Sequence, residues 1–155
     1  MGTNKEKTPW DKIQSFLNTA SAYPETSSWD ASCMKAVKLV KVEPSTVEFE
    51  FTVTGRMCNS LGILHGGCST TILDVLTSAA VLSVPGSDPT LSTLSRTLTV
   101  TFLRPIPVGT KVRVVVQLVA AGKKFVNFTG SLLTMDGKVC ASCVHDKAVF
   151  RQGRL

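Results

Sequence analysis

Residues 66–84, GGCSTTILDVLTSAAVLSV, form the longest apolar segment of the chain and stop at Pro85-Gly86. Apolar side chains fall on every side of a 3.6-residue spiral drawn through them, so a helix here is expected to be buried nearly all round. Such a helix cannot lie on a surface, and the rest of the chain has to enclose it. The flanking sequence offers strands for that purpose. Val47, Phe49, Phe51 and Val53 alternate with Glu48, Glu50 and Thr52, the period of a half-buried strand. This strand is expected to pair with residues 36–42 across a turn at Glu43-Pro44-Ser45. Leu98, Val100 and Phe102 alternate with threonines until Pro105-Ile106-Pro107, and Val112, Val114, Val116 and Leu118 alternate again before Gly122. Residues 124–134 and 138–150 flank Asp136-Gly137, a short hairpin signal. The pattern predicts an α+β fold in which one long central helix is wrapped by a curved antiparallel sheet.

Ahead of the first strand, residues 9–20 place Trp10, Ile13, Phe16 and Leu17 on one helical stripe behind Pro9. Residues 21–35, rich in serine and holding Pro24, read mostly as loop. The chain thus divides into an N-terminal helix and loop, 1–35, and a main domain, 36–155. A length of 155 residues with 43% hydrophobic content suits one core, and 18% charged residues excludes disorder over most of the chain.

The net charge of +6 is unevenly placed. Residues 89–155 carry ten bases (Arg96, Arg104, Lys111, Arg113, Lys123, Lys124, Lys138, Lys147, Arg151 and Arg154) against Asp136 and Asp146. A basic half suits an anionic partner, or serves only as a solvated face. Five cysteines, no apolar leader at the start and a failed myristoylation pattern (Glu6 stands where Gly2 would require Ser or Thr) predict free thiols inside the cell. The cytoplasm is the expected compartment, with mitochondria and peroxisomes as alternatives; Gly153-Arg154-Leu155 only loosely matches a peroxisomal tripeptide. Asp, Ser and Thr interrupt the apolar stretches before membrane-spanning length.

Between residues 51 and 135 the only carboxylates are Asp74 and Asp88. Asp74 falls at least two turns into the apolar helix, where an acid is costly unless partnered and where such groups mark functional sites. Upstream runs Asn59-Ser-Leu-Gly62-Ile-Leu-His65-Gly66-Gly67. Gly66 and Gly67 let backbone approach a ligand at a helix start whose first N–H groups can hold an anion or an oxyanion. Taken alone, His65 reads as a hydrogen-bonded structural histidine. Eight residues separate Gly66 from Asp74, roughly 12 Å of helix, so one chain cannot easily aim both at a single carbonyl. If both act on one substrate, a two-fold homodimer is needed, each site pairing one subunit's glycine turn with the other's acid. Cys140 and Cys143 lie three apart in a strand and face opposite ways, which argues against a dithiol or metal site.

The run Asn59-x-x-Gly62-x-x-His65-Gly66-Gly67 followed by Asp74 resembles the hot-dog-fold thioesterases of the PaaI-like branch, and Ser95 to Pro105 resembles that family's next strand. The resemblance implies hydrolysis of acyl-CoA thioesters in a homodimer or homotetramer, without cofactor or metal. Asp74 would be the general base, Gly66 the oxyanion donor, Asn59 and His65 would orient water and carbonyl, and Ser95 would place the water or Asp74. Substrate contacts are implied at Gly67, Thr97, Phe102, Arg104, Pro105, Gly122, Lys123, Lys124 and Phe125, with Arg104, Lys123 and Lys124 reaching CoA phosphates; Thr97 stands where relatives carry an acid. Two other readings compete: hydrolysis of acyl or polyketide chains on a carrier protein, and acyl-thioester binding without catalysis. Nucleic-acid binding ranks last, since no recognition motif is present.

Overall fold

The computed structural model describes residues 7–24, 28–87 and 91–151. Gly2, Glu6, Asp88, Arg154 and the Gly153-Arg154-Leu155 tripeptide lie outside the described residues. Helix α1 (Pro9–Ala22) opens with a capping box: the Thr8 hydroxyl accepts from the Asp11 amide at 3.2 Å, and the Asp11 carboxylate accepts from the Thr8 amide at 3.0 Å. Ile13 and Leu17 are buried, whereas Trp10 stays 41% exposed and leaves the expected stripe. The serine-rich stretch is not all loop. It contains a single-turn helix, α2 (Ala31–Met34), because Ala31 and Met34 are both buried beneath α1 and the long helix.

Six antiparallel strands follow: β1 (Lys38–Glu43), β2 (Thr46–Thr52), β3 (Leu91–Phe102), β4 (Lys111–Ala121), β5 (Phe125–Thr134) and β6 (Val139–Arg151). They form one sheet in the order β1-β2-β4-β5-β6-β3, with β1 and β3 at its edges. The β1–β2 pairing and the β5–β6 hairpin stand where the sequence placed them, and Gly137 takes φ +87° in the hairpin turn.

The long helix α3 (Gly66–Ala80), extended by a 3₁₀ turn at Val81–Ser83, lies across the sheet and buries Ile72, Leu73, Leu76, Ala79 and Ala80. It approaches β5 closely at Gly130, where a Cβ would stand 2.9 Å from the Cys143 sulfur and 3.1 Å from Leu73. A methyl group there would overpack the core by about 1–3 kcal/mol. The expectation of burial all round fails for α3. Gly67 is exposed and Thr70, Thr71, Asp74, Val75 and Ser78 are only half-buried, one continuous stripe along the helix. Apart from Val75 these residues are small or polar, and the stripe repeats at three and four, an amphipathic signal that high overall hydropathy conceals.

Candidate active site

Asp74 lies on the open stripe of α3 with its side chain 43% exposed, so it is not the buried acid expected from the sequence. It is partnered all the same. The Ser95 hydroxyl donates to Asp74 Oδ1 at 2.8 Å. Ser95 stands opposite Lys147 in the sheet and Thr97 opposite Asp146, so Arg96 is the extra residue of a bulge in β3. Bulges of this kind re-aim neighbouring side chains. The bulge residue itself is anchored, with the Arg96 guanidinium 2.9 Å from Asp146 and 4.2 Å above the Phe125 ring.

Beneath this pair sit two residues that the sequence reading did not place in the site. Lys147 and His145 are 1% and 0% exposed. Lys147 Nζ lies 3.1 Å from Ser95 Oγ and 3.4 Å from Asp74 Oδ1. It was grouped with the solvated or ligand-facing bases of the C-terminal half, and the fold puts it inside instead. The cause is strand parity: Cys143, His145 and Lys147 face α3, while Val144 points out at 58% exposure. Burial and the neighbouring ammonium push His145 down to about 4, and burial lowers Lys147. Burial pushes the Cys143 thiol up to about 11.

The other half of the motif shapes the start of α3. Asn59 Oδ1 accepts from the Leu61 and Ile63 amides at 3.0 and 3.2 Å, tying the loop that precedes the helix. His65 caps the helix, its Nδ1 accepting from the Gly67 amide at 2.9 Å. That bond assigns the proton of neutral His65 to Nε2. With Gly67 satisfied, the Gly66 N–H is left without a partner among the described residues. It opens onto a cleft of about 350 Å³ lined by Gly66, Ser69, Phe102, Arg104, Pro105 and Cys140. The fold therefore gathers Gly66, Phe102, Arg104 and Pro105 as expected, and the Phe102 ring packs over Gly66. Arg104 is exposed and donates to the Val139 carbonyl.

Other expected contacts lie elsewhere. Gly122 and Lys123 line a second cleft with Val81, Pro85 and Gly86, beyond the C-terminal end of α3. Lys124 and Phe125 continue that exposed turn, and Thr97 is exposed on β3. Within one chain, the cleft at Gly66 and the turn at Lys123 stand at opposite ends of a helix about 22 Å long, with Asp74 between them.

Residues 61–141 match the family model of the thioesterase superfamily. The chain belongs to the thioesterase superfamily. It is 28% identical over 113 residues to acyl-coenzyme A thioesterase 13 of Homo sapiens, covering 72% of this chain and 78% of that one. Among solved structures, zebra fish thioesterase superfamily member 2 superimposes with a TM-score of 0.80 at 21% identity, over 92% of this chain and 99% of that one. The E. coli PaaI protein from the phenylacetic acid degradation operon does so with a TM-score of 0.67 at 20% identity, over 88% and 97%. This thioesterase accordingly has the hot-dog fold, its sheet wrapped on the long α3, and the resemblance read in Asn59 to Asp74 is borne out.

Proposed function

We propose that this thioesterase hydrolyses acyl-CoA thioesters, at sites built from two copies of the chain. The arrangement of Asp74 carries the reading: a half-exposed carboxylate, held through Oδ1 by Ser95, with Oδ2 free of partners among the described residues. Water bound at Oδ2 attacks the thioester carbonyl as Asp74 takes its proton. The unpaired Gly66 N–H of the partner subunit holds the oxyanion. The tetrahedral intermediate collapses with cleavage of the carbon–sulfur bond, and the CoA thiolate leaves, taking up the proton that Asp74 carried. A thiolate is a good leaving group, so no second acid is required.

Two copies are needed because Gly66 and Asp74 of one chain stand roughly 12 Å apart along α3. The exposed edge of β3 and the open stripe of α3 offer the pairing surface. Such pairing would bring the Arg104 cleft of one copy towards the Lys123–Phe125 turn of the other, joining two basic surfaces around one CoA. Asn59 and His65 then act mainly by shaping the loop and capping the helix that presents Gly66. The relatives named acyl-coenzyme A thioesterase support the substrate class.

The test is CoA release from a panel of short, medium, long and aromatic acyl-CoAs. Asp74→Asn should lose roughly 10²- to 10⁴-fold in kcat. Gly66→Pro removes the oxyanion N–H and sets a ring carbon in its place, and proline is tolerated at the first position of a helix. It should lose about 10²- to 10³-fold. Gly66→Ala introduces the same Cβ, 3.3 Å from the end of the exposed Phe102 ring, and should keep most activity. Mixing inactive Asp74→Asn and Gly66→Pro subunits should restore roughly a quarter of the wild-type sites through heterodimers. Full activity of Asp74→Asn, or no turnover of any acyl-CoA by wild type, would overturn the assignment.

A further inference from the structure

We propose that Lys147 is a positioning residue for this hydrolysis: its buried ammonium fixes Ser95 and Asp74 Oδ1 together, leaving Asp74 Oδ2 as the working base. The inference rests on the reading of Asp74 given above. An ammonium has three N–H donors and no acceptor. Lys147 Nζ has three acceptors within reach: Ser95 Oγ at 3.1 Å, His145 Nε2 at 3.3 Å and Asp74 Oδ1 at 3.4 Å. Every proton on the nitrogen therefore has a destination.

The rest of the network follows from that allocation. Because Lys147 donates to His145 Nε2, the histidine proton resides on Nδ1 and is donated to Thr77 Oγ1 at 2.7 Å. The Thr77 hydroxyl donates in turn to the Leu73 carbonyl at 2.8 Å, so the chain of bonds ends on the backbone of α3 one residue before Asp74. Ser95 accepts from Lys147 and donates its own proton to Asp74 Oδ1. That proton is committed, so Ser95 has none to offer to water or to a substrate carbonyl. Asp74 Oδ1 is held from two sides, and Oδ2 has no partner among the described residues. Lys147 itself is 1% exposed and stands behind Ser95, so it touches neither water nor acyl group. It acts through Asp74.

Burial is the largest influence on Lys147 and disfavours the charged form. Replacing a whole buried pair with apolar side chains is often neutral or stabilising, but removing one partner alone leaves the other uncompensated. Here Asp74 stays hydrated through its exposed side, and His145 Nε2 is the acceptor that loses its donor. A purely structural residue would lower stability and leave the kcat of the folded protein intact.

The experiment is a double-mutant cycle on the full-length protein, using Lys147→Met, Asp74→Asn and the pair, read as kcat, KM and melting temperature. Lys147→Met should lower kcat about 10- to 100-fold, the loss expected for one hydrogen bond to a charged group. KM should not change, and the melting temperature should fall only by what one lost buried hydrogen bond at His145 costs. In the Asp74→Asn background Lys147→Met should cost no further activity, because the group it positions is gone. Lys147→Gln keeps an uncharged amide with two N–H donors and should fall between; it also serves as the reading if the methionine variant fails to fold. An unchanged kcat, a raised KM with kcat intact, or a full additional loss on top of Asp74→Asn would each overturn the role of Lys147. If Asp74→Asn is itself fully active, the assignment of the base has failed instead, and the two failures are told apart within one set of assays.

Discussion

The sheet has two edges, and they are built on different rules. β1 is six residues long, interrupted by an irregularity between Leu39 and Lys41, and charged at Lys38, Lys41 and Glu43, the last two paired at 2.9 Å. Short length, bulges and charge are the devices that keep an edge from pairing with another chain. β3 is twelve residues long, holds Ser, Thr and Leu with Arg96 as its one charge, and leaves Leu94 and Phe102 more than half exposed. Its inner edge is paired to β6 along nearly its whole length, with one bulge at Arg96. An edge of this kind invites another strand. Ser95 lies on β3 and Asp74 on the half-open stripe of α3, so the longer and less charged edge coincides with the site.

Matched lysines separate the two edges most sharply. Leu94 and Val40 are exposed to similar degrees, 51% and 44%, on β3 and β1. Leu94→Lys should reduce the mass in sedimentation to that of one chain and lower kcat/KM by at least about 100-fold, as a displaced catalytic pair would. Val40→Lys should leave both unchanged. Loss of assembly from Val40→Lys alone would reverse the assignment of the edges.

Stability against pH probes the layer under β3. His145 is pushed down to about 4 in the folded protein, against about 6.5 when unfolded. Between those values the unfolded chain binds the proton and the folded one does not. The stability that neutral His145 contributes is therefore complete above about pH 6.5 and is lost as pH falls towards 4, by at most about 3 kcal/mol. Urea unfolding across that window measures it, and His145→Gln should flatten the slope.

The smallest effect is expected at the rim. Arg104→Ala should raise KM for acyl-CoA by at most about fivefold, the worth of an exposed charge pair, and the increase should shrink with added salt. Lys38→Ala on the β1 edge should leave KM alone. An equal rise in both would reduce the basic surface to a diffuse field.

Much of this was legible in the sequence because it is local. Alternation over 46–53 and 112–118, the Asp136-Gly137 turn and Pro9 at the head of its helical stripe are decided within a few residues, and the strands and α1 lie where these signals placed them. The chemical residues read from the Asn59–Asp74 motif and the Ser95 strand also hold together in part: His65 caps α3, Gly66 keeps an amide unpaired among the described residues, and Ser95 bonds Asp74. The open stripe of α3 escaped notice because small residues such as Gly67 and Ser78 hardly lower its mean hydropathy.

What the amino-acid sequence by itself determined is the set of elements, their order and the motif that names the family. Periodicity, turn chemistry and helix capping act over a few bonds and need no partner. What only the tertiary structure decided is who meets whom. Lys147 reaches Asp74 across 73 residues of chain, and its inward aim depends on the parity of β6 against β5 and β3. Shifting that register by one residue would send Lys147 to solvent and put Asp146 or Ala148 in its place under Asp74. The same is true of α3, whose exposed stripe is set by which side the sheet covers. A charge becomes part of a site through packing, and packing is settled by contacts far apart in sequence.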